Sequence, residues 1–328
     1  MGWVFSIDLF LWWEGIALPY IPGFGAFLKR PFKGGTQFPP MTSWLHVPRK
    51  SKREEEEGPR TRNYFLTLES GEFTTYFLSL FNAHVFSNIN RRSLYVYDNS
   101  SPISTTYSLL KEAFEPMKDV NYVSEMMSGV TVLAGRSDAR YNGALTQIAT
   151  DVLRRIAAEA LKWSPSILEK VRQTLAERRL PAKFDAAVHI RSRSRFDTVR
   201  APATGAYVAA VEAAVRSKVD LSGNPVAPNI FVLASSDTDF IDFQNQAPKT
   251  WKLFQISPTV GTIRGINIGS FNRQNSAVKL NAYIEHVTEL YCMQNATTTI
   301  GTLSTDIGRF LYLTTPSFKS LDVHFVIP

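Results

Sequence analysis

The chain is almost without cysteine: Cys292 is the only one in 328 residues. An internal disulfide is therefore excluded. A lone cysteine in an apolar helical pattern reads as a small buried side chain. No uninterrupted run of about 18–20 apolar residues occurs, the length a membrane-spanning helix needs. Residues 1–28 are rich in Trp, Phe, Leu and Ile, but Asp8, Glu14, Pro19 and Pro22 break the pattern. A spanning helix is not expected there, and an interfacial or packed amphipathic segment stays open. The basic start and small-residue cleavage site of a secretory signal are missing from it.

Several catalytic signatures are also missing. Neither GxGxxG nor GxxxxGK(S/T) occurs, so the common dinucleotide and P-loop phosphate cradles are not expected. No GxSxG elbow is present to carry a nucleophilic serine. The histidines at 46, 84, 189, 286 and 324 stand at no metal-ligand spacing with cysteine or carboxylates. No metal is expected, and no resident cofactor.

Charge of one sign is in modest excess. The formal net charge is +7 and the isoelectric point about 9.4. Nucleic acid, phospholipid and sugar nucleotide are all anionic enough to suit it. No stretch concentrates the charge as a basic arm would, so a nucleic-acid partner is not expected. Residues 48–62 contain four consecutive glutamates between basic residues and no apolar anchor. They read as a solvated linker.

The remaining sequence alternates. Strands are expected at Asn63–Leu68, Ser93–Tyr97, Val130–Leu133, Phe184–Ile190, Asn229–Ala234 and Thr297–Thr302. Helices are expected at Thr74–Ser87, Leu145–Trp163, Ser164 to about Arg179, Tyr207–Val219, Ser276–Met293 and Asp306–Leu313. Ser164-Pro165 carries a helix-start signal: a capping hydroxyl followed by proline at the first helical position. Strands alternating with helices imply parallel sheets. The expected fold class is α/β, with two Rossmann-like domains facing across a cleft. The boundaries are 1–62 for the N-terminal segment and linker, 63–180 for the first α/β domain and 181–328 for the second.

Ligands of open parallel sheets bind at the carboxyl ends of the strands. In the second half, one strand runs from Val188 through His189 and Ile190 into Arg191-Ser192-Arg193-Ser194-Arg195. Arginine's planar fork matches phosphate oxygens and keeps its charge when partly buried. A solvated basic loop fits the same residues. A second strand ends in Ser235-Ser236-Asp237, where Asp237 suits a turn and helix cap. A third ends in Thr302-Leu303-Ser304-Thr305 at a helix start, which is suited to phosphate and equally to capping.

The ordered set of these motifs resembles the α1,6-fucosyltransferases and their relatives, the nodulation and protein O-fucosyltransferases. It consists of strand–HxR at His189 and Arg191, strand–AxxD at Ala234 and Asp237, and a helix carrying Glu289-Leu290-Tyr291. Strand–TxS(S/T)xxxR then follows from Thr302 to Arg309. The resemblance runs from about Ser70 to Leu313. It implies a GT-B-type fold and inverting transfer of fucose from GDP-fucose to a glycan or glycoprotein, without metal. Arg191 falls on the diphosphate-contacting arginine, His189 and Glu289 on guanine-side positions, and Ser304 and Thr305 on the hydroxyl motif. Asp237 belongs to the donor side as well. The resemblance suggests the Golgi lumen, although no anchor is evident here. The α1,6 enzymes read HxRRxDK, whereas Ser192, Ser194 and Arg195 replace the second arginine, the aspartate and the lysine. Asp197 is then the carboxylate left to act as base. That departure keeps a second reading open, a catalytically degenerate relative that binds nucleotide or glycan without turnover.

Overall fold

The computed structural model describes residues 63–67, 73–97, 108–125, 127–134, 141, 144–145, 148–191, 201–216, 226–256, 271 and 273–322. The first half contains β1 (Tyr64–Thr67), α1 (Phe73–Ile89), β2 (Leu94–Tyr97), α2 (Leu109–Ala113), β3 (Val120–Val123), β4 (Thr131–Ala134), α3 (Thr150–Ala160) and α4 (Pro165–Glu177). The second contains β5 (Ala186–Ile190), α5 (Thr204–Val215), β6 (Asn229–Ala234), α6 (Asp237–Gln246), β7 (Lys252–Phe254), α7 (Ser276–Gln294), β8 (Thr298–Gly301), α8 (Asp306–Thr314) and β9 (Phe318–Ser320).

The strands form two sheets, ordered β3-β2-β1-β4 and β7-β6-β5-β8-β9. Every pairing is parallel. Counted from the first strand of each sheet, the orders are 3-2-1-4 and 3-2-1-4-5. That is the doubly wound, Rossmann-like order, in which the chain builds outward on one side and then crosses to the other. The expected α/β class with two parallel sheets is the observed one. All residues of β5 and all but the first of β6 are buried, as continuous apolar runs in a helix-covered parallel sheet should be.

The halves of residues 63–322 share an aromatic core. Helix α1 is apolar on nearly every side and is buried from Tyr76 to Ser87, the pattern of a helix with no solvent face. Phe77 lies 5.0 Å from Phe114, 5.7 Å from Trp163 and 5.8 Å from Phe310, centroid to centroid. Phe73 meets Tyr283 edge-on at 5.0 Å. Polar tips are satisfied at the rim: Trp163 Nε1 donates to Gln294 Oε1 at 2.6 Å, and Tyr283 Oη donates to the Leu109 carbonyl at 3.2 Å.

Some expected boundaries move. The helix expected at Leu145–Trp163 is interrupted: residues 144–145 are helical, and α3 starts afresh at Thr150 because Ala149 is extended at φ −59°, ψ 137°. Asp151 then sits in the first turn, where a carboxylate favours the dipole's positive end. That local start overrides the apolar periodicity upstream. Helix α4 starts as expected: Ser164 Oγ accepts the Ile167 N–H at 3.3 Å, with Pro165 first. Helix α5 begins at Thr204, three residues before the expected Tyr207; residues 217–219 of the expected helix lie outside the described residues. Strands β3, β7 and β9 and helix α2 were not expected. Each spans three to five residues, too few to display a period.

His84 lies inside α1 with 2% of its surface exposed. Burial lowers its pKa to about 4, against an opposing contribution from Asp119. The unfolded chain therefore binds a proton near pH 6.5 that the folded chain refuses until about pH 4, and stability falls as pH drops through that window. Acid titration of the unfolding midpoint should show this loss, up to about 3 kcal/mol from this residue. His84→Gln should flatten the profile over the same range.

Candidate functional site

Strand β5 stays apolar to Ile190 and then exits at Arg191. On one side of β5 the sheet continues through β6, and on the other through β8. The carboxyl ends of β5 and β8 therefore flank the point where the strand order reverses, the place where doubly wound sheets bind ligands.

Hydrogen bonds from backbone and side chain hold Arg191 there. Its backbone N–H donates to Tyr207 Oη of α5 at 3.4 Å. Its Nη1 donates to Ser304 Oγ, in the turn after β8, at 2.6 Å. Burial pushes the Tyr207 phenol up to about 12. The Arg191 N–H opposes that rise and the Asp322 carboxylate reinforces it. Tyr207 is thus a neutral hydroxyl at physiological pH, with a lone pair for the Arg191 amide.

The turn carrying Ser304 is braced on several sides. Asp322, just past β9, accepts the Leu303 N–H at 2.7 Å, the Ser304 N–H at 3.2 Å and the Ser304 hydroxyl at 2.5 Å. The Ser320 hydroxyl lies 3.0 Å from the Asp322 carboxylate. The buried Arg309 donates from Nε to the Leu303 carbonyl at 3.0 Å and pairs with Asp306 at 3.4 Å. Thr75, in the first turn of α1, donates to the other Asp306 oxygen at 2.8 Å. Thr305 caps α8, accepting the Gly308 N–H at 2.9 Å and donating to the Thr302 carbonyl at 3.1 Å. The expected capping role of this motif is therefore filled by Thr305. The Ser304 hydroxyl connects Arg191 to Asp322.

The other expected site residues lie as follows. His189 is on β5, 2% exposed, and its Cβ would stand 3.6 Å from a Cβ on Gly301 of the neighbouring strand. Glu289 is buried on α7, 3.6 Å from His286 Nδ1. The other ring nitrogen of His286 is 2.7 Å from Thr74 Oγ1, which places this pair against the first turn of α1. Asp237 is the exposed first residue of α6. The cap is Ser236, one residue earlier than expected, accepting the Asp239 N–H at 3.2 Å. Asp197 and residues 192–195 lie outside the described residues. Among the described residues no group of three or more His, Cys, Asp or Glu is placed to hold a metal ion.

Sequence reasoning missed Asp322. It follows a three-residue edge strand that has no periodicity to announce it. The available signal was a Ser-Leu-Asp triplet after an apolar-containing run.

Gly308 is required by space. A Cβ there would sit 1.7 Å from the Thr302 carbonyl oxygen, which belongs to the backbone and cannot swing aside. Gly308→Ala should cost about 1–3 kcal/mol or more, as overpacking does. Urea unfolding checks this, and an unchanged midpoint would contradict the tight turn.

No protein-family profile matches the sequence, and no curated protein matches it. Among solved structures, the chain is similar to the fucosyltransferase NodZ from Bradyrhizobium, at 14% identity and a TM-score of 0.49, over 80% of this chain and 96% of that one. It is similar to NodZ α-1,6-fucosyltransferase co-crystallized with GDP, at 13% identity and a TM-score of 0.48, over the same shares. It is also similar to a variant of Arabidopsis thaliana FUT1 in complex with GDP, at 9% identity and a TM-score of 0.42, over 81% of this chain and 72% of that one. The assignment of the fold rests on the strand order of the two parallel sheets rather than on these similarities.

Proposed function

We propose that this chain is a glycosyltransferase of the fucosyltransferase type, binding a GDP-sugar at the carboxyl ends of β5 and β8. The observation that carries the reading is the 2.6 Å bond from Arg191 to Ser304 at the reversal of strand order. An arginine from the HxR motif and a serine from the TxS(S/T)xxxR motif, 113 residues apart, meet where a doubly wound sheet binds its ligand.

The chemistry follows from charge. Breaking the bond between sugar and diphosphate builds negative charge on the leaving group. A guanidinium held in place before the reaction stabilises that charge as it forms, with little reorganisation left to do. The α8 N-terminus adds a positive dipole end on the same side. These groups supply the neutralisation that a divalent cation supplies elsewhere, so the proposed transfer is metal-independent. Attack by an acceptor hydroxyl on the face opposite the diphosphate inverts the anomeric centre, and a base must take the hydroxyl proton. In this reading GDP-fucose is the donor, a glycan or glycoprotein is the acceptor, and Asp197 is the candidate base. His189 and Glu289 belong to the nucleoside side, with Asp237 and Thr305 at the rims of the neighbouring strand ends. The proposed compartment is the Golgi lumen, where such donors are used.

One observation favours binding without turnover. Asp322, the carboxylate built into this site, already accepts three hydrogen bonds from the β8–α8 turn. With those donors on it, Asp322 serves the turn rather than an acceptor hydroxyl. Release of GDP from GDP-fucose in the presence of any acceptor would eliminate this second reading.

Calorimetric titration with GDP tests the donor site. The wild type should bind at micromolar concentration. Arg191→Ala should bind about 10- to 100-fold more weakly, the usual loss for a charge-assisted hydrogen bond. Equal binding by the two proteins, or none by the wild type, would overturn the proposal.

A further inference from the structure

We propose that Asp322 is a positioning residue for Arg191, acting through the hydroxyl of Ser304; the inference rests on the donor-site reading above. The Ser304 hydroxyl has one proton. At 2.5 Å from Asp322 Oδ2 that proton is committed to the carboxylate. The oxygen's lone pairs then face Arg191, whose Nη1 donates to it at 2.6 Å. Asp322 thus sets the polarity of the hydroxyl, and the hydroxyl sets the place of the guanidinium.

Interposing a serine has an electrostatic consequence. A carboxylate paired directly with this nitrogen would compete with an incoming diphosphate for the guanidinium's fork. Here the carboxylate charge is taken up by the Leu303 and Ser304 amides and the Ser304 hydroxyl. At Nη1 the guanidinium meets a neutral oxygen instead, which an anionic ligand can outcompete. The position of Asp322 is set in turn by β9, which pairs in register with β8 from Thr299↔Phe318 to Gly301↔Ser320. The edge strand therefore reports, through one carboxylate, to an arginine two strands away.

The variants Asp322→Asn and Ser304→Ala separate this role from a merely structural one. In Asp322→Asn the amide would keep an acceptor for the Leu303 N–H but turn an NH2 group toward Ser304, reversing the hydroxyl and setting a donor against Arg191. Ser304→Ala leaves both backbone bonds to Asp322 in place, so it tests the connection even if the Asp322→Asn variant fails to fold. Thermal unfolding identifies which variants are native. GDP affinity is measured by calorimetry and guanosine affinity by NMR titration. Each variant should lose roughly tenfold in GDP affinity, the scale of one hydrogen bond to a charged group, with guanosine affinity unchanged. The double variant should lose no more than either single one. Three results overturn the inference. If folded variants bind GDP like the wild type while Arg191→Ala does not, Asp322 has no positioning role and the donor site stands. If guanosine and GDP weaken equally, Asp322 only supports the fold. If the wild type binds no GDP, the donor-site reading falls and this inference falls with it.

Discussion

Phe77 is the point on which the two halves of residues 63–322 turn. Its ring touches Phe114 and Trp163 from the first half and Tyr283 and Phe310 from the second. Such pairs contribute roughly 0.5–1.5 kcal/mol each beyond the burial of their area. Phe310 belongs to α8 and Tyr283 to α7. The same cluster that buries α1 therefore also holds α7 and α8 of the second half. The first turn of α8 is then tied down again, by Thr75 of α1 through Asp306. A ligand at β5 and β8 would meet a turn whose position is decided by the first half of the chain as much as by the second.

The β8–α8 turn shows how backbone polar groups can be placed at the end of a parallel sheet without stranding them. Turn amides and hydroxyls left without partners would be costly where water is excluded. Here an internal carboxylate, Asp322, satisfies two amides of the turn, and Thr305 satisfies a third on Gly308. Arg309 satisfies the Leu303 carbonyl. The closeness of α8 to the turn leaves no room for a side chain at 308. The result is a stiff edge against which Arg191 is positioned through a neutral hydroxyl. Stiffness before binding is what electrostatic stabilisation of a developing charge requires.

Much of the architecture was legible because its elements carry their own signals. Strands β5 and β6 are apolar throughout. Ser164-Pro165 is a complete start signal, and it works as one. Long helices such as α7 show their extent by length alone. The failures have local causes. Ala149 adopts an extended backbone that no periodicity predicts. Ser236 takes the cap that its neighbour Asp237 was expected to fill, since both residue types cap equally well. The edge strands β3, β7 and β9 are recognisable only by what they pair with. Phe77 and Trp163 were visible as apolar residues, but nothing in their spacing said that they meet.

By itself, the sequence determined the alternation of strand and helix, and hence the parallel sheets, because hydrophobic period and capping chemistry act within a few residues. It also set the residue types at each strand end: an arginine after β5, hydroxyls after β8. The tertiary structure alone decided that Arg191 and Ser304 meet, since contact across 113 residues depends on strand order, which no local signal encodes. It alone decided that Asp322 stands behind them. A carboxylate acquires its role from the donors around it, and those donors are assembled only when β9 lies against β8.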